Sequence, residues 1–196
     1  MTFAGGYITR RRDGSRGLSI TEAMRLGEVS VIEEDTTSMR TFAQQSLKHL
    51  QYARNTHSAV FAEVKVGQDL GAIQVTRVVS AVAGGRVLNP KTARSQIVGG
   101  IVWGIGMALE EESVIDQHFG RFTNHNLAEY HVPVNADVHD INVIFVEERD
   151  TLVNPLGAKG LGEIGIVGVA AAIANAVFHA TGRRIRDLPI TLDKLL

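Results

Sequence analysis

The chain has 196 residues, 44% of them hydrophobic and 21% charged, with a formal net charge of −1. That balance belongs to an ordinary globular protein, one domain or two small ones, able to bury a substantial core, and it offers no global field for nucleic acid or an anionic membrane. The absence of cysteine excludes disulfides and any thiolate-held zinc or iron–sulfur cluster within these residues.

In chain order, the opening MTFAGGYITRRRDG lacks the basic–apolar–small order of a secretory leader. The longest uncharged apolar run falls short of the roughly 20 residues a membrane span needs. A soluble protein is expected, with the compartment open between cytoplasm and periplasm. Residues 1 to about 37 carry little periodic signal. Arg10, Arg11, Arg12 and Arg16 flank Asp13-Gly14, a turn signal. The cluster reads as a solvated basic loop, with a phosphate-binding patch as the alternative. Thr21, Met24 and Leu26 hint at a short helix, and Glu33-Glu34-Asp35 reads as exposed loop. Met39, Phe42, Ala43, Ser46, Leu47 and Leu50 recur at helical spacing and predict a helix over Ser38–Arg54. Residues 1–58 are thereby set apart as an N-terminal segment of loop and helix, and 59–196 as the main domain.

Ala59–Val66 (AVFAEVKV) alternates, Ala72–Val82 (AIQVTRVVSAV) is β-branched, and a glycine-flanked turn joins them. This predicts a β-hairpin. Gly84 to Pro90 (GGRVLNP) breaks the second strand. A helix is predicted over Thr92–Glu112, with Ile97, Ile101, Ile105, Ala108 and Leu109 on its apolar face. Gly99, Gly100, Gly104 and Gly106 lie inside it. Each costs about 1 kcal/mol against alanine in a helix interior, so another backbone or a ligand is expected to pack very close. Gln96, near the start of this helix, can hydrogen-bond a heterocycle or neighbouring backbone groups.

Asp116–Gly120 reads as a turn. Asn124–Val134 is mixed, and Pro133 argues against a central strand there. Ile141–Val146 (INVIFV) reads as a buried strand. These elements predict an α+β fold, a mixed β-sheet packed with helices. His125, His131 and His139 lack the i,i+4 spacing of a helical metal pair, and neither H-E-x-x-H nor a G-x-S-x-G nucleophile elbow occurs. No protein-ligated metal is expected.

The most informative stretch is Gly157-Ala158-Lys159-Gly160-Leu161-Gly162-Glu163. It is followed by an uncharged run, Ile164–Phe178, that predicts a buried helix ending near Gly182. Glycine lets the backbone turn sharply and approach a ligand. The free N–H groups of the following helix would then suit an anion beside the loop. Glu163 is the only charged residue between Lys159 and His179. Apolar surroundings disfavour a charged carboxylate, which suits a general base working near neutral pH. The alternative is a first-turn residue that complements the helix dipole. The glycine pattern is neither the dinucleotide fingerprint nor a P-loop.

This stretch and the C-terminus, GAKGLGEIGIVGVAAAIANAVFHATGRRIRDLPIT, resemble the end of the molybdenum-binding large subunit of the xanthine dehydrogenase and aldehyde oxidase family. FAEVKV, GRVLNPKTARSQIVGGIVWGIGMALEEE and LAEYHVP continue the resemblance in the same order, from about Ala59 to Leu196, closest to the bacterial aldehyde oxidoreductase type. The resemblance implies that Glu163 is the catalytic base. It implies that Gln96, grouped with Ser95 in SQ-x-x-GG, contacts molybdopterin, and that Gly160, Leu161 and Gly162 lie close to the metal centre. Many family members have Asp near Ala83, where this chain has alanine. The implied cofactor is molybdenum-molybdopterin, with a cytosine dinucleotide form as an option. The implied reaction is hydroxylation of an aldehyde or N-heterocycle with water-derived oxygen. Electrons would leave through iron–sulfur clusters and FAD on partner chains. Family large subunits are several times longer, so the N-terminal part of the subunit is an expected partner. Oligomerisation is expected too, and little activity or cofactor retention is expected of this chain alone. The competing reading is a non-catalytic fragment or assembly domain. A third, weaker reading treats the glycine loop as a nucleotide site.

Overall fold

A computed structural model describes residues 2–9, 16–32 and 51–195. The chain divides into two compact units, Met1–Tyr52 and Ala53–Leu196. In the first unit, β1 (Thr2–Ala4), β2 (Tyr7–Thr9) and β3 (Arg16–Ser19) form an antiparallel sheet in that order. Gly5 and Gly6, both at positive φ, make the two-residue turn between β1 and β2. This is the backbone twist that a tight hairpin requires. The expected short helix is α1 (Ile20–Leu26). Ser19 caps it by accepting the Glu22 N–H at 3.1 Å, and Glu22 and Arg25 sit at the ends of the helix that their charges favour. The Arg10–Arg12 cluster, the Glu33–Asp35 loop and most of the predicted Ser38–Arg54 helix lie outside the described residues. The part of that helix within them, Gln51–Arg54, is turn and irregular backbone.

In the second unit, the expected hairpin is β4 (His57–Val66) and β5 (Ile73–Ala83), paired with Val60 opposite Ser80 and Phe61 opposite Val79. β8 (Asp140–Phe145) adds to the other side of β5 in parallel, with Val82 beside Phe145, so the sheet is mixed in the order β4-β5-β8. The turn expected at Asp116–Gly120 closes a small hairpin of β6 (Ile115–Asp116) and β7 (Arg121–Phe122). Asn124–Val134 contains no strand.

Between β5 and β8 runs α2 (Pro90–Leu109). It begins two residues before the predicted start because Pro90 fits the first helical position and Asn89 caps it. The Asn89 side chain accepts the N–H groups of Lys91 and Thr92 at 3.1 and 3.3 Å. The helix stops at Leu109, short of Glu112, where the N–H groups of Glu110 and Glu111 both turn back to the Gly106 carbonyl. The last helix, α3 (Val169–Thr181), ends as expected at Gly182, at φ 75°. A short 3₁₀ turn, Leu192–Leu195, follows. One face of the sheet packs on both helices, and the core joins Val78 and Val82 to Ile97, Ile101, Ile105, Val169, Ile173 and Val177. Among the described residues no helix is long and apolar enough to cross a membrane.

The start of α3 corrects the sequence reading. Helix was expected from Ile164, yet residues 164–168 are turns and α3 begins at Val169. Two glycines account for the delay. Gly165 lies so close to α2 that a Cβ there would stand 2.6 Å from the Ile97 carbonyl oxygen, and Gly168 adopts φ 88°. A φ of 88° cannot continue a right-handed helix, and the Gly165 contact, which leaves no room for a side chain, pins the segment before it against α2.

Three of the four glycines in α2 have close neighbours. A Cβ on Gly100 would meet the backbone of Gly165 and Ile166 at 2.8–2.9 Å, one on Gly104 would meet Val169 at 2.5 Å, and one on Gly106 would overlap Glu111 and approach Pro133 at 2.8 Å. Gly100→Ala is therefore expected to destabilise the fold. Overpacking costs about 1–3 kcal/mol, against a gain of about 1 kcal/mol in helix propensity. A lower urea midpoint than the parent's is the expected reading. Ser80 is fully buried in β5, and its hydroxyl has no hydrogen-bond partner among the described residues. Ser80→Ala removes that uncompensated group, so the same titration should show unchanged stability or a gain of up to about 1 kcal/mol.

Candidate cofactor-binding site

The glycine stretch is shaped from both sides. Upstream, the Asn154 side chain accepts the N–H groups of Leu156 and Ala158 at 3.0 and 3.3 Å and donates to the Ala158 carbonyl at 2.6 Å. This folds the chain into a tight loop that leaves Gly157 at φ 70°. Ala158 then bridges to Gly85 in the turn after β5. Arg86 N–H donates to the Gly157 carbonyl at 2.7 Å, and Lys159 N–H donates to that of Gly84 at 3.0 Å. The approach is close enough that a Cβ on Gly85 would overlap the Gly157 carbonyl and one on Gly84 the Leu161 side chain. The Gly84-Gly85 pair thus lets a second backbone run alongside.

Lys159 fixes this arrangement electrostatically. Its side chain is only 6% exposed, and its ammonium contacts Glu148 at 2.6 Å and Asp150 at 3.2 Å. Glu148 also accepts the Gly85 N–H at 2.9 Å, so one carboxylate ties the lysine to the turn after β5. The Lys159 hydrogen bond, then that of Gly85, holds the Glu148 carboxyl below its ordinary range. Asp150 is lowered chiefly by the Leu152 N–H and next by Lys159. Lys159 itself is raised, first by its bond to Glu148. The basic residue of the glycine loop is therefore a structural clasp, turned into the protein.

Beyond Lys159 the segment opens. Thr56 donates its hydroxyl to the Gly160 carbonyl at 2.7 Å. Leu161 packs against the core. The sides of Gly160 and Gly162 where a Cβ would stand have nothing within 4 Å among the described residues. The N–H groups of Gly160, Leu161, Gly162 and Glu163 make no hydrogen bond among the described residues. Glu163 is exposed. It stands six residues before α3, so it is not a first-turn residue, and the expected row of free helical N–H groups is not at the loop. The donors there belong to the loop itself. The apolar enclosure expected around Glu163 is not formed by the described residues.

Gly165 lies on the backbone of Ile97. This contact brings the Gly160–Glu163 segment to the N-terminal half of α2, where Ser95 and Gln96 stand exposed, with no side-chain partner among the described residues. Gln96, next to Ile97, and Glu163, two residues before Gly165, are thus tied through one contact, whereas Ser95 lies about 160° around the helix from Ile97. Asn154-Pro155 reads in the sequence as the opening of the glycine loop, and Asn154 does shape it. Sequence reasoning missed Thr56, Glu148 and Asp150; the Asp-x-x-x-Asn-Pro spacing of Asp150 to Pro155 is a turn signal that points to Asp150, while Thr56 left no trace in pattern.

The molybdopterin cofactor-binding domain family matches residues 1–139, which include Ser95 and Gln96 and stop before the glycine loop. The aldehyde oxidoreductase molybdenum-binding subunit PaoC of Escherichia coli is 44% identical over 194 residues, 99% of this chain and 25% of that protein. A putative xanthine dehydrogenase molybdenum-binding subunit, XdhA, of the same organism is 39% identical over 135 residues, 69% of this chain and 18% of its own length. Among solved structures, the aldehyde oxidoreductase of Desulfovibrio gigas superposes with a TM-score of 0.64 at 30% identity, covering 71% of this chain and 15% of that one. The fold and the site define a cofactor-binding α+β domain, and the chain belongs to the molybdopterin-binding subunits of the xanthine dehydrogenase and aldehyde oxidoreductase family. It spans about a quarter of the length of the aldehyde oxidoreductase subunit it matches. The residues present fit the cofactor. Four successive amides, two glycines and the side chains of Ser95 and Gln96, all without partners among the described residues, suit a polar, anionic pterin.

Lys159→Met tests the clasp. Both carboxylates have lowered folded-state values, so their contribution is present above their unfolded values, near pH 4, and is lost as pH falls through the lowered folded ones. The lysine's contribution is present below its unfolded value and is lost as pH rises through the raised folded one. The variant is therefore expected to melt below the parent at pH 7, with the difference shrinking in acid as Glu148 and Asp150 protonate. Thermal melts across pH, with amide exchange at Gly157–Gly160, provide the check.

Proposed function

We propose that this chain is the C-terminal, cofactor-facing part of a molybdenum hydroxylase that oxidises aldehydes, with N-heterocycles as the second substrate class, and that Glu163 is its general base. The observation that supports the reading is the run of amides Gly160–Glu163, without hydrogen bonds among the described residues, which ends in an exposed carboxylate and is tied by Gly165 to Ile97, the neighbour of Gln96. When bound, molybdenum-molybdopterin, in the plain or the cytosine dinucleotide form, supplies the two-electron redox chemistry.

The chain's own residues hold and orient. Gln96 offers an amide that can both donate and accept to a heterocycle edge, and Ser95 adds a hydroxyl. The amides of Gly160, Leu161 and Gly162 donate to acceptor atoms brought close by the missing side chains. Glu163 would accept the proton of the water-derived hydroxyl as its oxygen bonds to the substrate carbon and that carbon gives up its hydrogen as hydride, whose two electrons are those the cofactor would take up. The remainder of the subunit supplies the enclosure that excludes water and desolvates the carboxylate. Iron–sulfur and FAD partner subunits take the electrons onward, since this chain has no cysteine for a cluster. The assembled protein is a multi-subunit oligomer without nucleic-acid or membrane partners.

Glu163→Gln in the complete enzyme keeps the size and hydrogen-bonding capacity of the side chain and removes the proton acceptor. General-base catalysis contributes about 10²–10⁴-fold, so turnover should fall at least about 10²-fold with molybdenum content near the parent's. Single-turnover reduction by an aldehyde, alongside metal analysis, measures both. A fully loaded variant reduced at the parent rate would end the assignment and favour an assembly role.

A further inference from the structure

We propose that the face of α2 carrying Gln96, Gly99, Trp103 and Met107 is the seat of a segment of the molybdenum-binding subunit that lies outside these 196 residues. The inference rests on reading the chain as part of a longer subunit, and it adds where the remainder docks.

Two independent observations point to this face. The first is the glycine left without an explanation. Gly100, Gly104 and Gly106 each meet a close neighbour within the unit, whereas Gly99 has nothing within 4 Å among the described residues. Glycine weakens a helix interior, so an open one marks a place where something outside the described residues approaches closely. The second is the chemistry of the helix. From Ser95 to Leu109 α2 contains no charged residue. A helix that is apolar all round belongs in an interior, yet here one side is uncovered. Trp103 is 54% and Met107 47% exposed.

At 3.6 residues per turn, Gln96, Gly99, Trp103 and Met107 fall within an arc of about 80°. That arc lies away from Ile97, Ile101, Ala108 and the rest of the core-facing stripe. An aromatic anchor beside a backbone-accessible glycine is the composition of an interface centre. The occupant follows from length. The chain covers 25% of the related aldehyde oxidoreductase subunit, so three-quarters of such a polypeptide remains to be placed. Gln96 stands on the same arc, so a segment seated on Trp103 and Gly99 borders the cofactor residues and helps wall off the site. The segment is apolar, with backbone or a small residue opposite Gly99 and a pocket for the indole.

The test uses the full-length subunit containing this sequence, with a benzophenone amino acid at position 103 and peptide mapping of the photo-crosslink. A crosslink to subunit residues outside 1–196 is expected. A crosslink to residues 1–52, to a second copy of this chain, or to no protein overturns the proposal. In parallel, Gly99→Leu should reduce recovery of the assembled subunit by at least about tenfold. The thermal midpoint of the 196-residue chain should hold or rise, because leucine is the better helix former. Unchanged assembly overturns the proposal, as does loss of molybdenum with assembly intact, which would place the cofactor at Gly99. A destabilised chain would place a neighbour within the chain there and overturn it as well. None of these readouts uses turnover, so they stand or fall separately from the role of Glu163.

Discussion

The contact on which the site depends is backbone against backbone, where Gly100 and Ile97 of α2 meet Gly165 and Ile166. No side chain intervenes, and none can, because a single methyl on either glycine would fall inside van der Waals distance of peptide atoms. Such an approach is unforgiving in a way that a hydrophobic contact is not. Side chains can repack around a change of volume, whereas two backbones must separate. The separation would act directly on Glu163, two residues from the contact, and on Gln96, one residue from it. Positions remote in sequence are thus held in register by the absence of atoms.

A second constraint acts at the other end of the same segment. Lys159, Glu148 and Asp150 join the glycine loop to the end of β8, and the Gly84-Gly85 turn joins it to the end of β5. Between the electrostatic clasp and the glycine contact Gly160, Gly162 and Glu163 are left exposed, while Leu161 and Ile164 pack against the core. The result is a short exposed strip with fixed ends, which is how a binding segment gains precision without being a regular element. The lysine makes three hydrogen-bonding groups behave as one, because removing it leaves two carboxylates near each other.

Much of this was legible in the sequence, and the residues show why. Alternation in AVFAEVKV, the β-branched run AIQVTRVVSAV and the glycine-flanked turn between them gave the hairpin, since a sheet with one face on helices demands period two. The stripe Ile97, Ile101, Ile105 and Ala108 gave α2, and the glycines within it announced close packing before any neighbour was known. The errors share a cause. The run after Glu163 is apolar and uncharged, and such a run reads as helix. Only the tertiary contact at Gly165 and the left-handed Gly168 keep its first turn from forming. The three small strands of the first unit were missed because strands of three or four residues are too short for periodicity to register. Of the site, the glycines and the carboxylate were visible as local composition. Thr56 and Glu148 were not, because their roles depend on partners about 100 and 11 residues away.

The bulge between Glu63 and Val64 bears on how such a sheet avoids polymerising. Among the described residues β4 is a ten-residue strand at the margin of its sheet, with Phe61 turned outward. A flat margin of that length would template another strand along its unpaired amides and carbonyls. Here the extra residue of the bulge, Thr76, lies in β5, and it twists the β4–β5 pair near its middle. Thr76 bonds both the carbonyl and the carboxylate of Glu63, Arg77 holds the same carboxylate at 2.9 Å, and Lys65 adds a charge beyond it. An incoming strand would meet a twisted margin and would have to desolvate an ion pair to pair with it. The twist and the ion pair thus guard this margin against strand addition by other chains.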